Sequence, residues 1–192
     1  MLSPEQMWNM YDAIGVGQAP GLGFPGEVTG RLRPWKSWRP IEQATMAYGH
    51  GISVSLLQLA RAYSVFAREG DIVSLTLTKL DSGMPATNQV FSQQTVREVR
   101  AMLEMAVQAG GTAPKAQIPG YRVAGKTGTA YKLESGQYVK KYVASFVGFA
   151  PASDPRLIVA VMIDEPTNGK HYGGDVAAPI FAQVTGGALR TL

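Results

Sequence analysis

The strongest constraint on the fold is a run of three strand-like segments near the end of the chain, joined by very short connections. They are rich in β-branched and aromatic side chains and comprise residues 121–133, 138–149 and 156–164. Only residues 134–137 separate the first two, and only residues 150–155 separate the last two. Parallel neighbours need a crossover of about a dozen residues or more, so these strands must pair antiparallel. The sequence therefore predicts a three-stranded antiparallel sheet.

Apolar residues recur at helical spacing in the sequence both before and after the three predicted strands. We predict a helix begun by a Ser3–Gln6 capping box and ended by Gly15, a helix over residues 53–69, a helix from Ser92 to Gly110, and a closing helix after Gly173. In the closing helix we expect Val176, Ile180, Phe181 and Val184 to point inward. This order of elements is that of an α+β fold, with a helical part over residues 1–120 and a sheet with its final helix over residues 121–192.

Two further segments have weaker patterns. Residues 17–40 are rich in glycine and proline, which predicts a long irregular loop with a short hairpin near Pro25 and Gly26. A loop of that length is usually functional or a contact surface. Alternation of leucine and threonine over residues 75–78 predicts a short strand.

Composition and charge exclude several classes of protein. A hydrophobic fraction of 45% and a charged fraction of 17% are typical of a globular chain. The absence of cysteine excludes disulfides, thiolate metal sites and a cysteine nucleophile. His50 and His171 are the only histidines and lack the spacing of a metal site, so we predict neither a metal nor a cofactor.

A basic cluster in the long loop raises the possibility of nucleic-acid binding. It contains Arg31, Arg33, Lys36 and Arg39, interleaved with Trp35 and Trp38. The net charge is only +4 and the cluster is single and short, so surface packing or a protein contact is the preferred interpretation.

No apolar run approaches the ~20 residues that span a bilayer. The first residues lack the basic and apolar regions of a signal peptide. We therefore expect any membrane anchor or targeting signal to lie outside this chain.

Residues 120–127 match the phosphate-loop pattern G-x-x-x-x-G-K-[ST], which suggests a nucleotide-binding enzyme. A phosphate loop works because a strand enters it and a helix leaves it. Here the residues after Thr127 have strand character and meet a turn, and the predicted sheet is antiparallel. These contexts argue against an NTPase.

The same residues are better interpreted as a strand that docks a substrate. Strand alternation places Lys126 and Gly128 on one face and Thr127 and Thr129 on the other. Glycine removes a side chain and allows close approach of another backbone, so an edge strand here could dock an extended peptide. The ammonium and the hydroxyls can hold a carboxylate, and a strand N–H can contribute to an oxyanion hole.

These motifs, and others along most of the chain, resemble those of the class B penicillin-binding proteins, the cell-division (FtsI-type) D,D-transpeptidases of Gram-negative bacteria. Lys-Thr-Gly is a motif of that family. The matching segments are residues 24–27, 44–51, 56–60, 124–130, 146–151, 172–174 and 177–181.

The resemblance implies cross-linking of peptidoglycan stem peptides through an acyl-enzyme, with β-lactams as substrate analogues. It implies that Thr127 binds the carboxylate, that Thr129 contacts the ligand and contributes its N–H to the oxyanion hole, and that Lys126 tunes the site. Gly128, Tyr131 and Tyr172 are expected to complete the substrate site. It also implies a location at the periplasmic face of the inner membrane and contacts with membrane proteins of the division complex.

The chain departs from the family at the nucleophile. No serine has a lysine three residues later or an asparagine two residues later, so the family's Ser-x-x-Lys and Ser-x-Asn motifs are missing. We expect the chain to be the C-terminal portion of a transpeptidase domain, inactive by itself. The alternatives left open are a serine β-lactamase or β-lactam sensor, and a nucleophile-free scaffold that binds peptidoglycan or division partners.

Overall fold

The computed structural model describes residues 2–81, 83, 85–167 and 169–192. The elements in chain order are α1 Pro4–Ala13, α2 Pro40–Met46, α3 Leu56–Ala67, β1 Asp71–Val73, β2 Thr87–Gln89, α4 Gln93–Met105, β3 Ala124–Glu134, β4 Gln137–Ala150, β5 Leu157–Asp164, α5 Gly173–Val176 and α6 Ala178–Leu189. Single turns of 3-10 helix lie at Trp35–Ser37 and Pro114–Ala116. The chain forms two compact units, one of Met1–Val65 with Glu69–Ser92 and one of Phe66–Arg68 with Gln93–Leu192. Helix α4 thus belongs to the same unit as the three-stranded sheet.

The predicted antiparallel sheet is confirmed, with the strand order β3-β4-β5. The β3–β4 turn consists of Ser135 and Gly136, whose φ angles of 51° and 80° are both positive. Such a two-residue turn matches the twist of a hairpin and sets the pairing next to it, with Leu133 opposite Tyr138. The register shifts at an irregularity between Tyr131 and Leu133, so that Thr127 lies opposite Phe146 and Thr129 lies opposite Ala144.

One face of the sheet packs against α6. Phe146 and Phe181 are fully buried there, with ring centroids 4.7 Å apart. Burial of each ring contributes about 1.5–3 kcal/mol. The core cluster also contains Val107, Ile118, Val123, Ala150, Ala178 and Leu189. The sheet thus acquires a rigid backing behind β3 and β4.

The predicted inward face of the closing helix was partly wrong. Phe181 is buried as expected, but Ile180 and Val184 are 39% and 53% exposed. The buried positions include Ala178, Thr185 and Gly186 instead. The segment is two helices, since α5 ends at Val176 and α6 begins at Ala178, and its small buried residues allow close packing on the sheet.

Polar groups organise the long loop of the first unit. The carboxylate of Glu27 accepts hydrogen bonds from the backbone N–H groups of Gly21, Leu22 and Phe24, at 3.1, 2.6 and 3.3 Å. The Pro25–Gly26 segment is a turn, with Glu27 N–H bonded to Phe24 O, and the predicted hairpin is wrong because no strands flank it. The loop also ends in a helix, α2, that starts at Pro40.

The predicted strand at residues 75–78 is also wrong. The strand lies just upstream, where Asp71–Val73 pairs with Thr87–Gln89. The hydroxyl of Thr76 instead accepts a hydrogen bond from the N–H of Thr78 at 3.1 Å. Such local side-chain bonds compete with strand pairing.

The capping box at Ser3 and Gln6 is present as predicted. In the described part of the chain, no helix is both long and apolar enough to cross a membrane.

Candidate functional site

A groove of about 340 Å³ lies on the second unit, beside the outer edge of β3. Its lining residues are Thr112, Pro114, Lys115, Thr127, Thr129, Tyr172, Gly173, Gly174 and Asp175. Three segments therefore build it: strand β3, the loop around Pro114–Ala116, and the start of α5. Among the described strands, β3 is hydrogen-bonded only to β4, so its other edge can face a ligand.

The two threonines of β3 contribute hydroxyls to this groove, as strand alternation predicted. Thr127 Oγ1 donates to Thr112 Oγ1 at 3.2 Å. Thr129 Oγ1 accepts a hydrogen bond from the backbone N–H of Gly173 at 3.1 Å. Since the Thr129 oxygen serves as the acceptor in that bond, its own O–H can donate to a bound ligand. The groove thus presents three hydroxyls from Thr112, Thr127 and Thr129.

Lys126 lies next to these hydroxyls without lining the groove. Its Nζ donates to the carbonyl oxygen and to Oγ1 of Thr127, both at 3.2 Å. The side chain therefore folds toward the neighbouring threonine, and its positive charge lies at the hydroxyl. A positive charge so close to a donor hydroxyl favours a ligand carboxylate at this point.

The glycines explain how the start of α5 comes so close to the sheet. A Cβ at Gly173 would overlap the carbonyl oxygens of Ser145 and Gly128, and a Cβ at Gly174 would overlap the carbonyl oxygen of Thr112. Gly128 itself faces the hydroxyl of Ser145. The close backbone approach to the sheet is therefore made at Gly173, and the docking of a peptide along the glycines of β3 stays a prediction.

A row of aromatic rings extends from the groove. Tyr172 is 61% exposed and contacts His171, which stacks on Tyr142 with centroids 4.0 Å apart. Tyr131 also packs against Tyr142, with ring centroids 4.8 Å apart, and its hydrogen bond is the largest contribution that raises the pKa of Tyr142. Of these residues, Tyr172 lines the groove, whereas Tyr131 and His171 belong to the row beside it.

The charged end of the groove was not foreseen from the sequence. Lys115 forms an ion pair with Asp175, 60 positions later in the chain. The hydrogen bond from Lys115, followed by the charges of Lys115 and Lys170, lowers the pKa of Asp175. The sequence predicts only that a helix ends at Gly110, and nothing in the spacing of Thr112 or Lys115 indicates that this segment meets β3 or α5.

Other sequence hypotheses are resolved by this structure. Residues 124–134, which include the second half of the phosphate-loop pattern, form a strand in an antiparallel sheet where a phosphate loop needs a helix, so the NTPase interpretation fails. In the basic cluster, Arg33 and Arg39 both pair with Glu42, at 2.9 and 3.4 Å, and Lys36 lies 5.5 Å from the Trp35 ring centroid. Asp164 at the end of β5 and Glu165 after it both pair with the Nζ of Lys132, at 3.0 and 2.7 Å.

His50 packs edge-on against Tyr48, with centroids 5.3 Å apart. Over the residues whose placement is described, no cluster of three His, Asp or Glu side chains could hold a metal ion.

The comparison with protein families shows the family to which the chain belongs. The model of the penicillin-binding protein transpeptidase domain matches residues 1–186. The chain belongs to this transpeptidase family. The family resemblance and the α+β fold expected from the sequence are therefore confirmed.

Similar proteins agree with this assignment. A probable peptidoglycan D,D-transpeptidase PenA of Neisseria flavescens is 46% identical over 100% of this chain and 48% of its own length. The peptidoglycan D,D-transpeptidase FtsI of Escherichia coli strain K12 is 44% identical over 95% of this chain and 31% of its own length. The apo transpeptidase domain of Burkholderia pseudomallei penicillin-binding protein 3 superposes with a TM-score of 0.93 at 56% identity, covering 99% of this chain and 58% of that one. This transpeptidase-family chain thus spans about half or less of the length of these curated relatives.

Proposed function

We propose that this chain forms the carboxylate-binding part of a serine D,D-transpeptidase that cross-links peptidoglycan. The observation that carries the proposal is the groove beside β3, where the hydroxyls of Thr112, Thr127 and Thr129 converge next to the ammonium of Lys126. Charge-assisted hydrogen bonds from such groups suit the terminal carboxylate of a D-alanyl-D-alanine peptide or of a β-lactam.

In this proposal, the Thr127 hydroxyl rotates away from Thr112 Oγ1 and donates instead to the ligand carboxylate, and Lys126 strengthens that bond by its charge. Thr129 contacts the ligand, and its backbone N–H stabilises the oxyanion of the tetrahedral intermediate. Tyr172 covers the ligand from the α5 side. Gly128 lies on the opposite face of β3 from the two threonines, where a side chain would meet the hydroxyl of Ser145, and Tyr131 extends the substrate site along β3.

The chemical step is acyl transfer in two stages. A serine Oγ attacks the carbonyl carbon between the two D-alanines, the C–N bond breaks, and the terminal D-alanine leaves after its amine takes up a proton. The amine of a second stem peptide then attacks the ester, which forms the cross-link and restores the serine. A β-lactam opens in the first stage and keeps its leaving group attached.

We further propose that the serine belongs to a Ser-x-x-Lys motif outside these 192 residues, because no serine of the chain has that spacing. The chain alone would then form no acyl-enzyme. The intact protein would act at the periplasmic face of the inner membrane, within the division complex, as the FtsI-type resemblance implies.

Fluorescent-penicillin labelling of the natural protein that contains this chain, beside the 192-residue chain, tests the proposal. We expect a stable covalent band on the natural protein only. Absence of the band on a folded natural protein would favour the nucleophile-free scaffold. A band that decays quickly would favour a β-lactamase.

A pair of matched variants tests the role of the groove. Thr127→Val removes the hydroxyl that we assign to the carboxylate, and a hydrogen bond to a charged group is worth about 1.5–3 kcal/mol, so labelling should slow about tenfold to hundredfold. Thr87→Val makes the same change at an exposed position of β2 and should leave labelling unchanged. Equal labelling rates for the two variants would contradict the assignment of Thr127.

A further inference from the structure

Lys115 and Asp175 are the only charged side chains among the described residues that line the groove. Lys115 lies in the single helical turn Pro114–Ala116, and Asp175 lies in α5. Both side chains reach the same space as the hydroxyls of Thr127 and Thr129. Any anionic ligand held by those hydroxyls therefore lies in the field of both charges.

The pair is poorly placed to serve as a structural anchor. The Lys115 and Asp175 side chains are 46% and 35% exposed, and ion pairs at such exposure contribute little to folding stability. The close approach of the two segments is already explained by Gly174, where a Cβ would overlap the carbonyl oxygen of Thr112. Folding stability therefore does not account for the position of the two charges beside the groove.

Asp175 by itself would oppose the function of the groove. The hydrogen bond from Lys115 lowers the pKa of its carboxyl group, so it carries a negative charge at neutral pH. A carboxylate beside a carboxylate-binding site repels the ligand unless a cation compensates it.

We propose that Lys115 and Asp175 are specificity-determining residues that set the charge which the groove presents to its ligand. Lys115 neutralises Asp175, so that the positive charge of Lys126 beside Thr127 dominates the site. With the pair intact, the net charge of the two residues at this end of the groove is zero, and replacing either residue makes the groove discriminate between ligands by their second charge. This inference rests on the proposed function, since it assumes that an anion binds at Thr127 and Thr129.

Three penicillins that differ at one carbon of the side chain test the proposal on the natural protein. Benzylpenicillin carries one negative charge, carbenicillin adds a carboxylate, and ampicillin adds an ammonium. Acylation rates are measured by competition with a fluorescent penicillin for the wild type, Lys115→Met, Asp175→Asn and the double variant. Lys141→Met is the matched control, because Lys141 is 47% exposed, pairs with Glu134 at 2.8 Å and lies outside the groove lining.

Lys115→Met should slow acylation by benzylpenicillin about threefold to tenfold, since Asp175 then loses its ion-pair partner near the ligand carboxylate and only the charge of Lys170 still acts on it. The loss should be larger for carbenicillin and smallest for ampicillin. Asp175→Asn should accelerate acylation by carbenicillin by a similar factor, a gain that a folding defect cannot imitate. The double variant should return to within about twofold of the wild type, and the differences should shrink in 1 M salt, where the Debye length is about 3 Å.

Two results would overturn the inference. Equal changes for all three penicillins, insensitive to salt, would mean that the pair acts only on the shape of the groove. A carbenicillin rate unchanged or reduced by Asp175→Asn would mean that Lys115 does not act on the ligand. If wild-type protein is not labelled at all, the proposed function itself fails, whereas normal wild-type labelling with either of these two results removes this inference alone.

Discussion

Gly173 offers a sharp test of how the groove is assembled. A Cβ at this position would overlap the carbonyl oxygens of Ser145 and Gly128, and both belong to strands that cannot move without disturbing the sheet. Gly173→Ala should therefore push α5 outward, which costs about 1–3 kcal/mol as overpacking. Outward movement also breaks the hydrogen bond from Gly173 N–H to Thr129 Oγ1, worth about 0.5–1.5 kcal/mol. Together the free energy of unfolding should fall by about 2–4 kcal/mol.

The same movement should also slow penicillin labelling, and by more than the loss of folded protein would account for. A displacement of about 1 Å in a group that positions substrate can cost about a hundredfold in rate. We therefore expect penicillin labelling of Gly173→Ala to slow by about that factor under conditions where the protein is still folded. Urea unfolding and labelling rates, measured on the natural protein, give the two quantities.

Gly187→Ala is the matched control. Gly187 lies in helix α6, and a Cβ there meets no atom within 4 Å. Alanine should stabilise the helix by about 0.5–1 kcal/mol relative to glycine and leave labelling unchanged. If Gly173→Ala and Gly187→Ala have the same stability and the same labelling rate, α5 is not held against the sheet as described.

Three further predictions concern stability. Hydrogen bonds from the Arg39 backbone and from Arg33 lower the pKa of Glu42 from its ordinary value of 4.5 to about 2, so its contribution to stability is complete above pH 4.5 and is lost as the pH falls toward 2. Acid titration of the unfolding free energy should show this loss, and Glu42→Gln should flatten it. The buried amide of Gln58 donates to the carbonyl oxygens of residues 18 and 29 at 2.7 and 2.8 Å, so Gln58→Leu should cost at least about 1–3 kcal/mol and speed hydrogen exchange across the long loop. A urea midpoint unchanged by that substitution would contradict its role. Ser135→Asn should raise the urea midpoint slightly, because asparagine tolerates the positive φ of this turn position better than serine does, and a lower midpoint would count against that account.

Rules that involve only residues close together in the sequence were sufficient to predict helix caps and the faces of strands. Ser3 and Gln6 cap α1 because both partners of the capping box lie within one turn. Thr127 and Thr129 share a face because side chains alternate along any strand. Local rules failed where a neighbour decides: residues 75–78 alternate as a strand would, but the strand partner, β2, pairs with residues 71–73 instead.

The amino-acid sequence alone determined the antiparallel sheet, the position of the Lys-Thr-Gly strand in it and the resemblance to the transpeptidase family. It could do so because short connections leave the strands no other way to pair and because the motif residues are contiguous. Only the tertiary structure decided that Thr112 meets Thr127 and that Lys115 meets Asp175. These contacts join residues 15 and 60 positions apart, and they depend on two glycines that let α5 approach the carbonyl groups of the sheet and of the loop at Thr112. Periodicity describes a single element, whereas a site built from three segments depends on how those elements pack.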